Sequence, residues 1–237
     1  TKKKKMSARA LLSRIAEVQA ESGYPYMMFI DQANRSMAVD GRIAMSNLCS
    51  EILQPQSPST YNPDFTYDQL GKDISCNLGS VIIDGVMDSD DPAAIIGAGV
   101  RALTQVSDMT IGTLPYAPTV DNGNQNAHSI GLSAMNLHGY FAREHIKYGS
   151  EESIEFVSVF FMAMRYYALK ESNKIAKERG KTFTYFDKSK YATGEFFDKY
   201  LNNDYLPTTP KIVNLFGEWL PSKEDWKQLK ENVVDFG

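Results

Sequence analysis

The sequence has 237 residues, with 25 Lys+Arg against 29 Asp+Glu, a formal net charge of −4 and a pI of about 5.5. That balance excludes a basic nucleic-acid scaffold, because phosphate binding needs a Lys/Arg surplus gathered on one face. At 43% hydrophobic and 23% charged residues the composition is that of an ordinary globular protein, and two Cys exclude both a multi-disulfide framework and a four-cysteine zinc site.

The basic run Lys2 to Lys5 looks like the start of a signal peptide, but no apolar core or cleavage pattern follows it. No apolar run approaches the ~20 residues of a membrane span, so a reducing, cytoplasmic setting is the default expectation. The first residue is Thr and not Met, which reads as a chain processed, trimmed or cut from something longer. From Ser7 to Ser22, Ala8, Leu11, Leu12, Ile15 and Val18 recur at helical spacing, and Gly23 with Pro25 supplies the stop. Tyr26 to Ile30 reads as a short strand and Asp31 to Asp40 as a loop. Arg42 to Leu53 reads as extended, closed by Pro55 and Pro58. Ile74 to Asp84, with Val81, Ile82 and Ile83 together, has the pattern of a buried strand.

Asp91-Pro92 places a capping carboxylate before a proline at the first helical position, and the helix is expected to run to about Ser107. Thr110 to Ala127 holds Gly112, Pro115, Pro118, Gly123 and several Asn and Gln residues, so it reads as a long loop. Ser129 to Ile146 reads as mostly helix. Glu151 to Arg179 carries acidic residues at its start, basic residues at its end and then Gly180, all of which match the helix dipole. Its middle, Phe156 to Leu169, is apolar nearly all round and should be buried on most sides. Shorter helices are expected near Gly194 to Leu201, Pro210 to Trp219 and Ser222 to Val233, the last with Ser222 and Asp225 as a capping-box-like pair. Early strands and helices throughout suggest an α/β protein with no internal boundary.

Three motif matches carry nothing. Gly97-Ala98-Gly99-Val100-Arg101-Ala102 fits a dinucleotide fingerprint but lies inside the helix capped by Asp91, where small residues serve close packing. Asp235-Phe236-Gly237 has no phosphate loop before it. Asn34-Arg35-Ser36 is a glycosylation sequon, void in a cytoplasmic protein. The three His fit no zinc spacing.

What remains is Asn47-Leu48-Cys49-Ser50-Glu51. In an extended segment Asn47, Cys49 and Glu51 share a face while Leu48 and Ser50 point away. The set joins an amide, a thiol and a carboxylate able to take a proton. The alternative is an inert buried Cys beside two solvated polar residues. Cys76, in Asp73-Ile74-Ser75-Cys76-Asn77-Leu78-Gly79-Ser80, reads first as a buried Cys in a core strand. A Cys49–Cys76 disulfide is open, and in a reducing compartment it would be catalytic and not structural.

At these residues the chain resembles the catalytic large subunit of ribonucleotide reductase, in particular the class Ib type of bacteria and their phages. The matching stretches are Ser22 to Tyr26, Met45 to Gln54, Gly71 to Ser80, Ile130-Gly131-Leu132, Met135 to Tyr140 and Phe196 to Tyr200. They occur in order over nearly the whole chain. The resemblance implies the central part, over residues 1–237, of a ten-stranded α/β barrel with a finger loop inside it. Cys49 at the tip of that loop would carry a thiyl radical that removes the 3′ hydrogen of a ribonucleoside diphosphate. Glu51 would take the 3′ hydroxyl proton and Asn47 would orient the ribose hydroxyls. Leu48 and Ser50 would be substrate-contacting, and Cys76 would be one of two thiols that reduce the 2′ position.

The resemblance further implies a metal–tyrosyl radical on a separate small subunit, a thioredoxin- or glutaredoxin-like reductant, and nucleotide effectors bound outside this segment. It implies no cofactor held by this chain, no membrane and no direct nucleic-acid contact. The chain departs from the family pattern in lacking the thiol that pairs with Cys76, the C-terminal Cys pair, the phosphate-binding Pro-Thr-Gly-Ser stretch and the relay tyrosines. Of its 13 Tyr only Tyr166-Tyr167 are adjacent, within the long helix. The segment Gly112 to Asn126 also reads differently. The expectation is a middle fragment or split piece of the large subunit, inactive alone. The alternatives are a non-catalytic remnant that binds other reductase subunits, and a thiol redox protein using Cys49 and Cys76, against which the lack of C-x-x-C speaks.

Overall fold

The computed structural model describes residues 5–237; Lys2 to Lys4 of the basic run lie outside the described residues. Helix α1 (Ala8–Ser22) ends where Gly23 turns left-handed at φ 77°, as the stop signal predicts. None of its residues is buried, so its apolar stripe faces solvent. The expected strand at Tyr26 to Ile30 is absent, and Ile30–Ser36 forms a short helix, α2, with Asp31 in its first turn and Arg35 in its last. Both charges complement the helix dipole. Asn34 in α2 clamps the next segment: Oδ1 accepts the Ile43 N–H at 2.9 Å and Nδ2 donates to the Ile43 carbonyl at 3.0 Å. This contact, with Ile43 buried, is the structural role of the residue that the sequon match had singled out.

A small antiparallel hairpin follows, β1 (Thr60–Tyr61) with β2 (Tyr67–Gln69). Strand β3 (Leu78–Ile82) then leads into α3 (Ile83–Met87) and α4 (Pro92–Thr110), whose Asp91 cap accepts the Ala94 N–H at 2.9 Å. Thr110 to Ala127 is not one long loop, because Pro118–Ala127 forms helix α5 with proline at its first turn. Gly123 within α5 lies so close to the Asp73 carbonyl that a Cβ there would collide with it. Ser129 to Ile146 is not mostly helix either. Gly131–Met135 is strand β4, followed by α6 (Leu137–Arg143). β4 pairs parallel to β3 in the register Leu78↔Gly131 to Ile82↔Met135, so β3, the helices and β4 make a βαβ unit. Its helix packs closely: a Cβ on Gly79 would touch Leu103, and one on Gly99 would press on Leu132, which is the packing role expected of the small residues in α4.

The architecture is therefore α/β, as expected, but the strands of the described residues form two two-stranded sheets and no closed ten-stranded barrel. The β3–β4 sheet is covered on one face only. Val81 is buried, while Leu78, Ile82 and Met135 on the other face are about half exposed. The buried strand expected at Ile74 to Asp84 is thus shorter and one-sided, since two strands have nothing to cover their second face.

Helix α7 (Glu151–Arg179) has the predicted bounds, with Ser150 as cap and Gly180 left-handed at its end. Two short 3₁₀ turns (Phe186–Lys188 and Glu195–Phe197) and helices α8 (Asp198–Asn202), α9 (Pro210–Phe216) and α10 (Lys223–Phe236) complete the chain. The Ser222/Asp225 capping box forms in full. The all-round apolar character of α7 arises because it serves two cores. Phe156, Val159 and Phe160 pack with Val81, Ile96, Tyr140 and Phe216, while Met162 and Tyr166 pack with Phe197, Tyr200 and Trp226. Among the described residues no helix is long and apolar enough to cross a membrane.

Candidate functional site

The segment from Met45 to Gln54 is a closed loop and not the extended strand expected. Ser46 Oγ donates to the Ile52 carbonyl at 2.7 Å, and the Ile52 N–H donates to Asn47 Oδ1 at 3.0 Å. Ile52 is buried, so these bonds fix the neck of the loop on an apolar residue. Inside the neck the chain reverses. The Ser50 N–H donates to the Asn47 carbonyl at 3.1 Å, and Ser50 sits in the left-handed region at φ 64°. The reversal corrects the alternation argument: Asn47, Cys49 and Glu51 do not share one face of a strand. A turn presents Leu48, Cys49, Ser50 and Glu51 together to solvent, with Leu48 81% exposed.

The turn leaves the three chemical groups in distinct states. The Oδ1 of Asn47 is committed to the Ile52 N–H, with the Ser46 hydroxyl, whose proton goes to the Ile52 carbonyl, lying 3.2 Å away, whereas its Nδ2 has no acceptor among the described residues. Asn47 therefore keeps a free donor on a partly exposed side chain. Cys49 is a free, exposed thiol. Glu51 lines a cavity of about 840 Å³ together with Gln54, Ser75, Asn77 and Leu78.

Below the neck Gln56 accepts the Ala44 and Met45 N–H groups at 3.1 and 3.0 Å and donates to the Met45 carbonyl at 2.9 Å. Tyr24 and Tyr26 pack ring to ring at 4.9 Å. The Tyr26 phenol is pushed above its ordinary range, chiefly by its hydrogen bond with Tyr24 and the charge of Tyr24, and to a smaller extent by burial and by Cys49.

Cys76 is not buried in a core strand. It is exposed, two residues before β3 begins, and it forms no disulfide with Cys49. The Gln54 side chain ties its segment to the loop, donating to the Ser75 carbonyl at 2.8 Å and accepting the Ser75 N–H at 3.0 Å. On its other side Asn77 donates from Nδ2 to the Leu103 carbonyl at 2.8 Å and accepts the Gly131 N–H through its backbone at 2.9 Å. Cys76 thus stands between two anchored residues. The two amides Gln54 and Gln56 were not singled out from the sequence; their one local signal is a pair of glutamines astride Pro55. Among the described residues no group of three His, Cys, Asp or Glu side chains is arranged to hold a metal ion.

The loop carrying Asn47, Cys49 and Glu51 and the strand entrance carrying Cys76, joined through the Gln54 side chain on an α/β frame, form the candidate site. The family model of the ribonucleotide reductase barrel domain matches residues 1–237, and the chain belongs to that family. It is 44% identical over 239 residues to the ribonucleoside-diphosphate reductase subunit alpha of Bacillus subtilis (strain 168), covering 100% of this chain and 34% of that protein. It is 41% identical over 243 residues to the subunit of the same name from Mycoplasma pneumoniae, covering 100% of this chain and 33% of that one. The chain thus spans about a third of the length of these relatives. Among solved structures, the Actinobacillus ureae class Id ribonucleotide reductase alpha subunit superposes with a TM-score of 0.59 at 20% identity, covering 71% of this chain and 32% of that one. That likeness concerns the fold.

Proposed function

We propose that these residues are the catalytic loop and reducing strand of a class Ib ribonucleoside-diphosphate reductase large subunit, acting as part of the longer chain. The observation that carries the reading is the closed loop, whose hydrogen bond from Ile52 consumes the Asn47 acceptor, leaving the Asn47 donor unpaired among the described residues and Cys49 and Glu51 exposed. In the reaction, the Cys49 sulfur, oxidised by one electron through the small subunit, takes the ribose 3′ hydrogen as an atom and returns it at the end. Glu51 accepts the 3′ hydroxyl proton, which makes loss of the 2′ hydroxyl as water easier. Asn47 Nδ2 donates to a ribose hydroxyl and orients the sugar, with Leu48 and Ser50 beside it. Cys76 and a second thiol from elsewhere in the large subunit supply two electrons and two protons and end as a disulfide. A thioredoxin- or glutaredoxin-like protein then reduces that disulfide.

The chain of residues 1–237 is expected to be inactive alone, with the remaining large-subunit segments and the small subunit restoring activity. The decisive measurement is nucleotide reduction by the full-length protein with its small subunit. Cys49→Ser, folded as judged by its thermal midpoint, is expected to abolish turnover; full activity in that variant overturns the assignment.

A further inference from the structure

The β1–β2 hairpin continues beyond its strands. Thr60 pairs with Gln69, and three residues further along each arm Ser57 and Lys72 exchange two backbone hydrogen bonds, each of 3.0 Å. Three residues further again, in the same register, Gln54 stands opposite Ser75. The backbones make no bond to each other there, and the Gln54 side-chain amide makes two in their place, to the N–H and the carbonyl of Ser75. Ser75 is the residue before Cys76, while the arm that carries Gln54 is rooted to the base of the Cys49 loop through Gln56.

We infer that Gln54 is a positioning residue: its amide sets the spacing between the loop bearing Asn47, Cys49 and Glu51 and the strand entrance bearing Cys76. The inference rests on the reductase reading above, in which the first group acts at the 3′ position of a ribose and the second at the 2′ position. The chemistry narrows the side chain to glutamine. The clamp needs an uncharged donor and acceptor on one carbon, able to face the N–H and the carbonyl of a single residue together, which the side-chain amides of Asn and Gln supply. Asn is one carbon shorter, Glu at neutral pH accepts but does not donate, and Met has similar length with neither function. Both partners are partly buried, and no other side chain among the described residues bonds the Ser75 N–H or carbonyl.

The test uses the full-length protein with its small subunit and two variants, Gln54→Met and Gln54→Glu, read by hydrogen exchange at the Ser75 amide and by steady-state kinetics. Gln54→Met is expected to speed Ser75 exchange and lower kcat on the order of 10- to 100-fold with a smaller change in KM, because the displaced thiols and carboxylate act on the reacting atoms. Gln54→Glu, which keeps the acceptor for the Ser75 N–H, falls between Met and wild type in both readouts. Faster Ser75 exchange with wild-type kcat in Gln54→Met overturns the positioning role and leaves the reductase reading intact. Unchanged Ser75 exchange overturns the clamp itself. Nucleotide reduction that survives Cys49→Ser overturns the underlying reading, whatever Gln54 does.

Discussion

Asn47 shows how one side chain divides its two functions. Its acceptor belongs to the fold, receiving the N–H of buried Ile52, and its donor is unpaired among the described residues. Replacement by Ala leaves the Ile52 N–H without its acceptor, at a cost of about 1–3 kcal/mol. Asn47→Asp keeps an acceptor at neutral pH and loses both amide protons. Chemical denaturation should therefore show Asn47→Ala destabilised and Asn47→Asp near wild type, while assays of the full-length reductase find both impaired. Equal destabilisation of the two variants would show that Oδ1 does not close the loop. Residue types alone marked the amide, thiol and carboxylate as a set, and the role of each came from the family resemblance. The motif's geometry was not legible, because the left-handed Ser50 and the bonds to Ile52 replace the alternation of an extended strand with a turn.

Three helices meet at one polar knot, and its titration is a property of the elements. The Ser107 hydroxyl of α4 donates to Asn124 Oδ1 of α5 at 2.7 Å, so the His128 Nδ1 lying 3.2 Å from that hydroxyl must be its donor. Asp108, 3.6 Å from Nδ1, is itself paired with Arg179 at the end of α7. Burial pushes the His128 pKa below its ordinary 6.5; Asp108 opposes that shift, while Arg179 and Lys181 reinforce it. The unfolded chain therefore binds a proton near pH 6.5 that the folded chain resists, and this contribution to stability is present above that pH and lost as pH falls below it. A plot of thermal midpoint against pH should decline below about 6.5 in the wild type. His128→Asn, which suits the left-handed φ of 45°, should flatten that decline. An identical decline in both proteins would remove His128 as its source. The starts of α4 and α10 and both ends of α7 were readable because their caps lie within a few residues of the first or last turn, whereas α4 and α10 run three residues past the expected Ser107 and Val233. Helix α5 was missed because its Asn and Gln residues resemble a loop. They are spent on tertiary bonds, as Asn122 is on the Gly71 carbonyl at 2.9 Å and Asn124 is on Ser107.

At the scale of the molecule, α7 is the wall shared by two cores, with Trp219 packed against the first and Trp226 buried in the second. Phe156 is fully buried among Tyr140, Phe141, Phe160 and Phe216. Phe156→Ala should cost about 3–5 kcal/mol, a large part of the total stability of a typical domain. Because α7 spans both clusters, Trp226 fluorescence in a Trp219→Phe background should report unfolding at the same lowered denaturant midpoint as circular dichroism. A Trp226 transition unmoved by Phe156→Ala would mean that the two cores unfold separately. The half-exposed apolar face of β3 and β4 belongs to this scale too. Two strands cover one face with α4 and leave Leu78, Ile82 and Met135 open.

The sequence by itself determined the long helix and its caps, the packing role of the glycines in α4 and the α/β class; residue types set Asn47, Cys49 and Glu51 apart as a chemical set, and Cys76 joined them only through the family resemblance. Apart from that resemblance, these are local properties, written in spacing and side-chain type over a few residues. Only the tertiary structure decided that the Cys49 segment is a turn, that Gly131 to Met135 is a strand, and that Gln54 joins the two thiol-bearing segments. Each of those depends on a partner distant in sequence: Ser75 for Gln54, Leu78 for Gly131, and buried Ile52 for the closure of the loop. Backbone pairing and loop closure satisfy hydrogen bonds between such partners, and no local pattern records which residue will supply the other half.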